Sequence, residues 1–164
     1  MIKMNIALVA HDGRKKELLD WVRYNAGILS KHNIYATGTT GKLISDLTMP
    51  VVDENNPKKA VEKPIFPQGV HCLLSGPLGG DQQIGAMIAT GGIDVLIFFC
   101  DNLIVQGHQN DVSALTRLAA LYNIAFATNR TTADMILTSP LLGSEEYNRI
   151  IPKAIEDYKN RNLA

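Results

Sequence analysis

Five short apolar runs, rich in β-branched residues, are separated along the chain by stretches with helical periodicity. The clearest is IDVLIFF at residues 93–99, in which every position after the aspartate is apolar. A strand that is apolar on both faces must be covered on both faces, which is typical of parallel sheets. The other four runs lie at residues 5–10, 33–38, 70–76 and 124–128. The pattern therefore predicts an α/β fold, a doubly wound parallel sheet with helices on both faces.

The stretches between these runs carry apolar residues at helical spacing. In residues 14–30, Leu18, Leu19, Val22 and Ala26 follow one face of a helix. A second helix is predicted at 39–47, with Thr39 or Thr40 as its cap. Further helices are predicted at 81–90, 111–122, 131–138 and 145–161, with a short extra strand at 49–52. We find no internal repeat, and 164 residues are expected to form one domain, residues 1–164.

Residues 53–69, DENNPKKAVEKPIFPQG, interrupt this alternation. They contain Pro57, Pro64 and Pro67, several charges and no clear period. A long stretch without a pattern is uncommon inside a compact domain. We therefore interpret the segment as a surface insertion that lies outside the packed core.

Composition argues against several classes of partner. The 16 basic and 16 acidic residues balance, so there is no electrostatic reason to expect nucleic acid or an anionic membrane. No apolar run approaches the ~18 residues of a membrane span, and the first run, IALVA, is too short for a secretory signal.

Cys72 and Cys100 lack metal-site spacing and are expected to be reduced, partly buried thiols. The expected location is the cytoplasm.

Ligands of doubly wound sheets bind at the carboxyl ends of the strands. In this chain the rule indicates five loops, at residues 11–15, 37–41, 75–81, 100–110 and 128–131. These loops contain most of the residues whose chemistry could form a site.

The loop TGTTGKL, residues 37–43, resembles a nucleotide P-loop but departs from it twice. Ala36 stands where the first glycine is required, and Leu43 replaces the hydroxyl residue after the lysine. What remains is a strand, a Thr/Gly turn and the start of a helix. Free N–H groups and hydroxyls at such a place suit a phosphate, and a plain helix cap is the alternative.

Two further loops carry charged groups. AHDGRKKE, residues 10–17, offers His11 and Asp12 and then three basic residues. One lysine turned inward would add a point charge to a phosphate site. The spacing does not say which lysine, and solvated side chains at a helix start are the alternative.

SGPLGGDQQ, residues 75–83, combines a glycine-rich turn with Asp81 at the start of a helix. Such a turn lets the backbone approach a ligand closely, and Asp81 could be a helix cap or a catalytic base. CDNLIVQGHQND, residues 100–111, adds Asp101, His108 and Asp111. Together these groups are the parts of a proton-transfer site for a small phosphorylated carbonyl compound. No histidine pair has metal-ligand spacing, so no metal is expected.

Six segments in one order resemble the methylglyoxal synthase family. They are ALVAHD, YATGTTG, LSGPLGGDQQIGA, IDVLIFF, H-x-x-D at 108–111 and ATNRTTAD, and they cover nearly the whole chain. The resemblance implies a compact doubly wound α/β domain, assembled as a homohexamer. It implies conversion of dihydroxyacetone phosphate to methylglyoxal and inorganic phosphate, a bypass of glycolysis, without a cofactor. Inorganic phosphate is then expected as both product and inhibitor.

The resemblance also implies a role for each matching residue. Asp81 would be the catalytic base, and His108 would bind the substrate and donate to its carbonyl oxygen. Asp12, Asp101 and Asp111 match further active-site carboxylates. The other expected substrate ligands are His11, Lys15, Thr37, Gly38, Thr39, Thr40, Ser75 and Gly76.

The sequence departs from the family at residues 53–69, at CDN (100–102) and at LIVQGH (103–108). Two relatives of the fold remain as alternatives. One is the effector-binding domain of carbamoyl-phosphate synthetase, which does no chemistry, and the other is a purine-pathway cyclohydrolase domain. The presence of both Asp81 and His108 favours the lyase, and phosphate release from dihydroxyacetone phosphate distinguishes it from the alternatives.

Overall fold

The structure is a computed structural model that describes residues 1–103 and 109–163. Its strands are β1 (Asn5–Ala10), β2 (Asn33–Thr37), β3 (Thr48–Asp53), β4 (Asn56–Pro64), β5 (His71–Leu73), β6 (Val95–Phe99) and β7 (Ala125–Ala127). Five of them form one parallel sheet in the order β5-β2-β1-β6-β7. The chain starts at the centre and builds outward in both directions, which confirms the doubly wound parallel sheet.

Helices cover both faces of this sheet. They are α1 (Lys15–Tyr24), α2 (Ala26–Leu29), α3 (Gly38–Ser45), α4 (Gly80–Ala89), α5 (Gln109–Leu121), α6 (Arg130–Thr138) and α7 (Lys153–Lys159). None of the helices in the described part of the chain has the length and apolarity to cross a membrane.

The core has two layers, one on each face of the sheet. In β1, Ile6 and Leu8 pack with α1, α3 and α6, while Ala7 and Val9 pack with α4 and α5. The strand β6 divides in the same way between the two layers, and all five of its residues are buried. Because successive side chains of a strand point to opposite faces, burial on both faces explains the unbroken apolar run that predicted this strand.

Three predictions about helices need correction. The helix expected at 14–30 is divided at Asn25, whose backbone leaves helical geometry and whose side chain donates to the Trp21 carbonyl at 3.0 Å. The helix expected at 145–161 is confined to α7, because it starts only after Pro152, and a proline disfavours helical geometry in the residue before it. The N-cap of α3 is Thr37, so Thr39 and Thr40 lie inside the helix.

The strands β3 and β4 form a separate antiparallel hairpin, in which Val51 faces Val61. Most of its side chains are exposed on both faces, so the apolar alternation of a half-buried strand is missing. The expectation that all of residues 53–69 lie outside the core is wrong at Ile65 and Phe66. These side chains are 3% and 2% exposed and belong to the core layer on the α1 side.

Shortening the hairpin is expected to preserve both the fold and turnover. Met49 and Lys63 face each other across the hairpin, so an Asn-Gly turn can replace residues 50–62. Since changes in loop length cost little, we expect turnover within about threefold of the unmodified chain, measured together with thermal unfolding. As a contrast, Phe66→Ala is expected to lose about 3–5 kcal/mol of unfolding free energy. A folded but inactive short variant would show instead that the hairpin serves the site.

Candidate active site

A pocket of about 550 Å³ lies where the carboxyl ends of β1, β2, β5 and β6 meet. Polar residues that follow the ends of these strands line the pocket above an apolar floor. Predicted residues in its wall are His11, Asp12, Lys15, Thr37, Gly38, Thr40, Ser75, Gly76, Asp81 and Asp111. Four residues that are not predicted from the sequence also line it: Val9, Ala10, Pro77 and Phe98. Nothing distinguishes these four from ordinary core or turn residues in the sequence.

The helices α3 and α4 both begin at this pocket. The helix α3 starts directly after Thr37, and α4 starts after the turn that follows Ser75. The Gly38 N–H donates to the Leu74 carbonyl at 3.1 Å, which holds the two turns together. The first N–H groups of a helix have no partner within it, and the helix dipole is positive at this end. The pair of helix N-termini therefore makes the pocket attractive to an anion.

Asp81 lies in the first turn of α4 and lines the pocket, although its side chain is only 2% exposed. The N-cap of α4 is Gly79, which has a φ of +113°. Asp81 is therefore not the capping residue, and the cap interpretation of this aspartate is wrong. A carboxylate in the first turn is favoured electrostatically by the helix N-terminus, so a buried anion is tolerated here.

Among the lysines and arginines that the structure describes, Lys15 is the one that lines the pocket. Its Nζ lies 2.8 Å from Asp12 Oδ1 and donates to Thr39 Oγ1 at 3.0 Å. Thr39 does not itself line the pocket wall formed by the described residues, and Asp12 is 96% exposed at its mouth. Lys15 therefore links the first turn of α1 to that of α3 at the entrance, where it can meet a negatively charged group.

His11 continues β1 into the pocket wall. Its backbone N–H donates to the Phe99 carbonyl at 3.2 Å, and its ring packs edge-to-face on Phe98. The ring Nδ1 accepts the backbone N–H of Asp101 at 2.9 Å. An Nδ1 that accepts a hydrogen bond carries a lone pair, so the imidazole is neutral with its proton on Nε2. His11 therefore presents a donor rather than a positive charge.

Asp101 and the loop at 128–131 do not line the pocket wall formed by the described residues. The Asp101 carboxylate is not part of the wall built by the described residues, and its Oδ1 accepts the Leu103 N–H at 3.3 Å. His108 lies outside the described residues. The loop at 128–131 does not contribute to the described pocket wall. Its Asn129 caps α6 by accepting the Thr132 N–H at 2.9 Å. Within residues 1–103 and 109–163, no cluster of three metal-ligating side chains is found.

The two cysteines differ in exposure. Cys72 is exposed on β5, so the expectation that it is partly buried is wrong, whereas Cys100 is buried. Burial raises the pKa of the Cys100 thiol to about 11, with the Arg14 guanidinium opposing that shift and Asp81 adding to it. Because the thiolate is the reactive form, Cys100 is an inert neighbour of the pocket.

Comparison with known proteins gives one consistent result. Residues 17–128 match the MGS-like domain. Methylglyoxal synthase of Maridesulfovibrio salexigens is 53% identical over 86% of this chain and 87% of its own length. That of Leptospira interrogans is 49% identical over 89% and 86%. The crystal structure of methylglyoxal synthase from Elizabethkingia anophelis superposes with a TM-score of 0.78 at 43% identity, covering 99% of this chain and 93% of the other. The chain therefore belongs to the methylglyoxal synthase family.

Proposed function

We propose that the pocket converts dihydroxyacetone phosphate to methylglyoxal and inorganic phosphate. The observation that carries the proposal is the buried carboxylate of Asp81 in the same pocket as a lysine and two helix N-termini. A base and an anion site next to each other suit a small phosphorylated substrate with an acidic C–H bond. The enzymatic activity named for the relatives above requires these two components.

The phosphate group belongs at the entrance formed by α3 and α4. In our proposal Lys15, the first turn of α3 from Thr37 to Thr40, and Ser75 with Gly76 bind its oxygens. Backbone N–H groups at helix N-termini bind phosphate without a side-chain charge, and Lys15 adds one positive charge. The apolar wall at Phe98 and Val9 leaves the rest of the pocket for the three-carbon chain.

Asp81 would remove a proton from C3 of the bound substrate. The electron pair of that C–H bond then moves into the ketone, and negative charge develops on the C2 oxygen. His11 Nε2–H and His108 are the proposed donors to this oxygen, while Asp111 would complete the polar wall. A positioned base contributes roughly 10²–10⁴-fold to the rate, and each preorganised donor to the oxyanion roughly 10²–10³-fold.

Phosphate loss then completes the reaction. The C3 hydroxyl loses its proton and becomes the aldehyde carbonyl, while the C2–C3 π electrons of the enediolate form a C1–C2 double bond as the C1–O bond breaks. This releases inorganic phosphate and the enol of methylglyoxal. The enol takes up a proton at C1 and loses its hydroxyl proton to give the product. This elimination requires the C1–O bond to stand perpendicular to the enediolate plane. The contacts that hold the phosphate would therefore determine whether phosphate is lost. The two helix N-termini are therefore expected to set that torsion.

Direct measurement of both products tests the proposal. Purified protein with dihydroxyacetone phosphate should release phosphate and methylglyoxal in equal amounts, and a chelator should have no effect. Absence of phosphate release would contradict the lyase activity. An effector-binding domain is the weaker alternative, because relatives named methylglyoxal synthase match more than four-fifths of the chain.

The finer properties implied by the family belong to the same proposal. They are one domain that includes the hairpin as an insertion, action in the cytoplasm as a bypass of glycolysis, and assembly as a homohexamer. The roles assigned to Asp12, Asp101 and Thr39 are also part of it. Sedimentation of the purified protein tests the assembly.

Replacing Lys15 with methionine is expected to weaken the binding of substrate and of inorganic phosphate together. Both ligands share the group that Lys15 would contact, so phosphate should compete with substrate. Loss of a hydrogen bond to a charged group costs about 1.5–3 kcal/mol, so KM and the phosphate inhibition constant should each rise at least about tenfold. Steady-state kinetics with added phosphate measures both. Lys16→Met is the matched control, and inhibition that survives while substrate binding collapses would place phosphate at another site.

A further inference from the structure

The peptide group between Cys100 and Asp101 is held from both sides. Its carbonyl oxygen accepts a hydrogen bond from Arg14 Nη1 at 3.0 Å. Its N–H donates to His11 Nδ1 at 2.9 Å. Because the peptide unit is planar, fixing one end fixes the direction of the other. The guanidinium and the imidazole are therefore connected through one rigid group.

Arg14 is itself fixed by a second partner. Its Nε donates to Glu17 Oε2 at 2.7 Å, and its Nη2 lies 2.6 Å from the same oxygen. One edge of the planar guanidinium thus binds Glu17, while Nη1 reaches the Cys100 carbonyl. Hydrogen bonding to Glu17 raises the pKa of Arg14, and the charge of Asp101 raises it further. The side chain remains a charged, oriented donor.

Arg14 does not line the described pocket wall, whereas His11 does. We propose that Arg14 is a positioning residue, which orients the Cys100–Asp101 peptide so that its N–H keeps His11 neutral with the proton on Nε2. This inference rests on the proposed function, in which His11 Nε2–H donates to the substrate. Hydrogen bonds in a chain polarise one another, so the bond from Arg14 also strengthens the peptide N–H as a donor to Nδ1.

The turn between His11 and Arg14 lies close to Asp101. A side-chain carbon at Gly13 would come within 2.8 Å of Asp101 Oδ2. The loop that carries Asp101 is thus packed directly on the turn that carries Arg14. Loss of the Arg14 hydrogen bond would free the peptide to rotate, and His11 Nδ1 would lose its donor.

Arg14→Met tests the proposal, since methionine keeps an unbranched stem and removes the donor. We expect kcat to fall about tenfold, by analogy with the lower end of the loss seen when a partner that orients a metal-binding histidine is removed. Inhibition by inorganic phosphate should not change, because Lys15 and both helix N-termini are untouched. Arg14→Lys, which keeps a donor near the carbonyl, should recover part of the activity. Arg23→Met on α1, an exposed position, is the matched control.

Histidine NMR measures the protonation pattern of the His11 ring, which a general loss of stability would not change. In ¹⁵N-labelled protein, His11 should show the pure Nε2–H pattern, and Arg14→Met should shift it toward a mixture or a doubly protonated ring. His32 is an internal reference, because its Nδ1 accepts the Met4 N–H at 3.1 Å far from Arg14. An unchanged His11 pattern, or a changed pattern with unchanged kcat, would overturn the proposal. Wild-type protein that releases no phosphate would instead refute the proposed function, and the NMR comparison would still report on the contact.

Discussion

Replacing Asp81 with asparagine is expected to lower turnover at least ~10²-fold, the lower end of the contribution of a general base. The amide has the size of the carboxylate but cannot take the C3 proton. Since Gly79 is the N-cap of α4, the substitution removes no cap. A negative charge in the first turn of a helix typically adds about 0.3–1 kcal/mol to the free energy of unfolding when it is exposed, and up to ~2 kcal/mol when it is partly buried. The thermal midpoint should therefore change by only a few degrees.

Three measurements separate a catalytic Asp81 from a structural one. Single-turnover kinetics should show a slow chemical step, while phosphate binding by calorimetry should remain close to wild type. Exchange of solvent deuterium into C3 of recovered substrate should be absent in the variant. An Asp81→Asn protein that turns over normally would remove Asp81 from the role of base. A protein that unfolds would point to a structural role, and Asp81→Glu, which retains a carboxylate, then tests the chemistry separately.

Much of the fold could be predicted because its central strands are buried on both faces. Runs such as NIALVA and IDVLIFF have no polar face, and only a sheet covered by two helical layers buries them completely. The position of the pocket follows from the same reasoning, since parallel strands bring the turns after Ala10, Thr37 and Leu73 to one edge. In these segments the local hydrophobic pattern agrees with the topology of the sheet, so the sequence is sufficient to predict the strands and the position of the pocket.

Of the hairpin, only β3 could be predicted, as the short strand expected at 49–52, and the physical reason is the opposite one. Both of its faces are largely exposed, so no hydrophobic alternation marks β4 as a strand, and Pro57 and Pro64 suggest an irregular loop. The burial of Ile65 and Phe66 depends on the position of the segment after the hairpin, which is a tertiary property. A separate two-stranded hairpin is stabilised by cross-strand pairing such as Val51 with Val61, and pairing is not visible in composition.

The contacts of Arg14 show a second limit. In the sequence Arg14 is one of three basic residues in a row that could all be solvated. Lys15 faces the pocket and Arg14 faces Cys100 only because the chain makes a short 3-10 turn over Asp12–Arg14 before α1 begins. This turn sets the direction in which each side chain leaves the backbone. The periodicity of residues 14–30 predicted a helix, but not the geometry of its first residues.

Gly80→Ala is expected to damage both the stability of the fold and catalysis, although it changes no ionisable group. A side-chain carbon at Gly80 would overlap the Leu74 carbonyl oxygen and lie 2.9 Å from Thr37 Cγ2. The first of these contacts is with backbone, which cannot move aside as the end of a long side chain can. Overpacking typically lowers the free energy of unfolding by about 1–3 kcal/mol, and we expect the upper end of this range. For a domain of this size, that loss lowers the midpoint of thermal unfolding by roughly 6–12 °C.

The damage should extend to catalysis, because Gly80 directly precedes Asp81 and packs between the ends of β2 and β5. Relief of the overlap must push α4 away from Leu74, and a displacement of about 1 Å at a reacting group costs about 10²-fold in rate. Gly27→Ala is the matched control, since a side-chain carbon there would meet no described atom within 4 Å and alanine favours a helix by roughly 0.5–1 kcal/mol. The thermal midpoint measured by calorimetry and kcat should therefore both fall in Gly80→Ala and stay near wild type in Gly27→Ala. If Gly80→Ala unfolds at the wild-type temperature with wild-type kcat, the turn before Asp81 is looser than this packing requires, and Asp81 is not held in place by it.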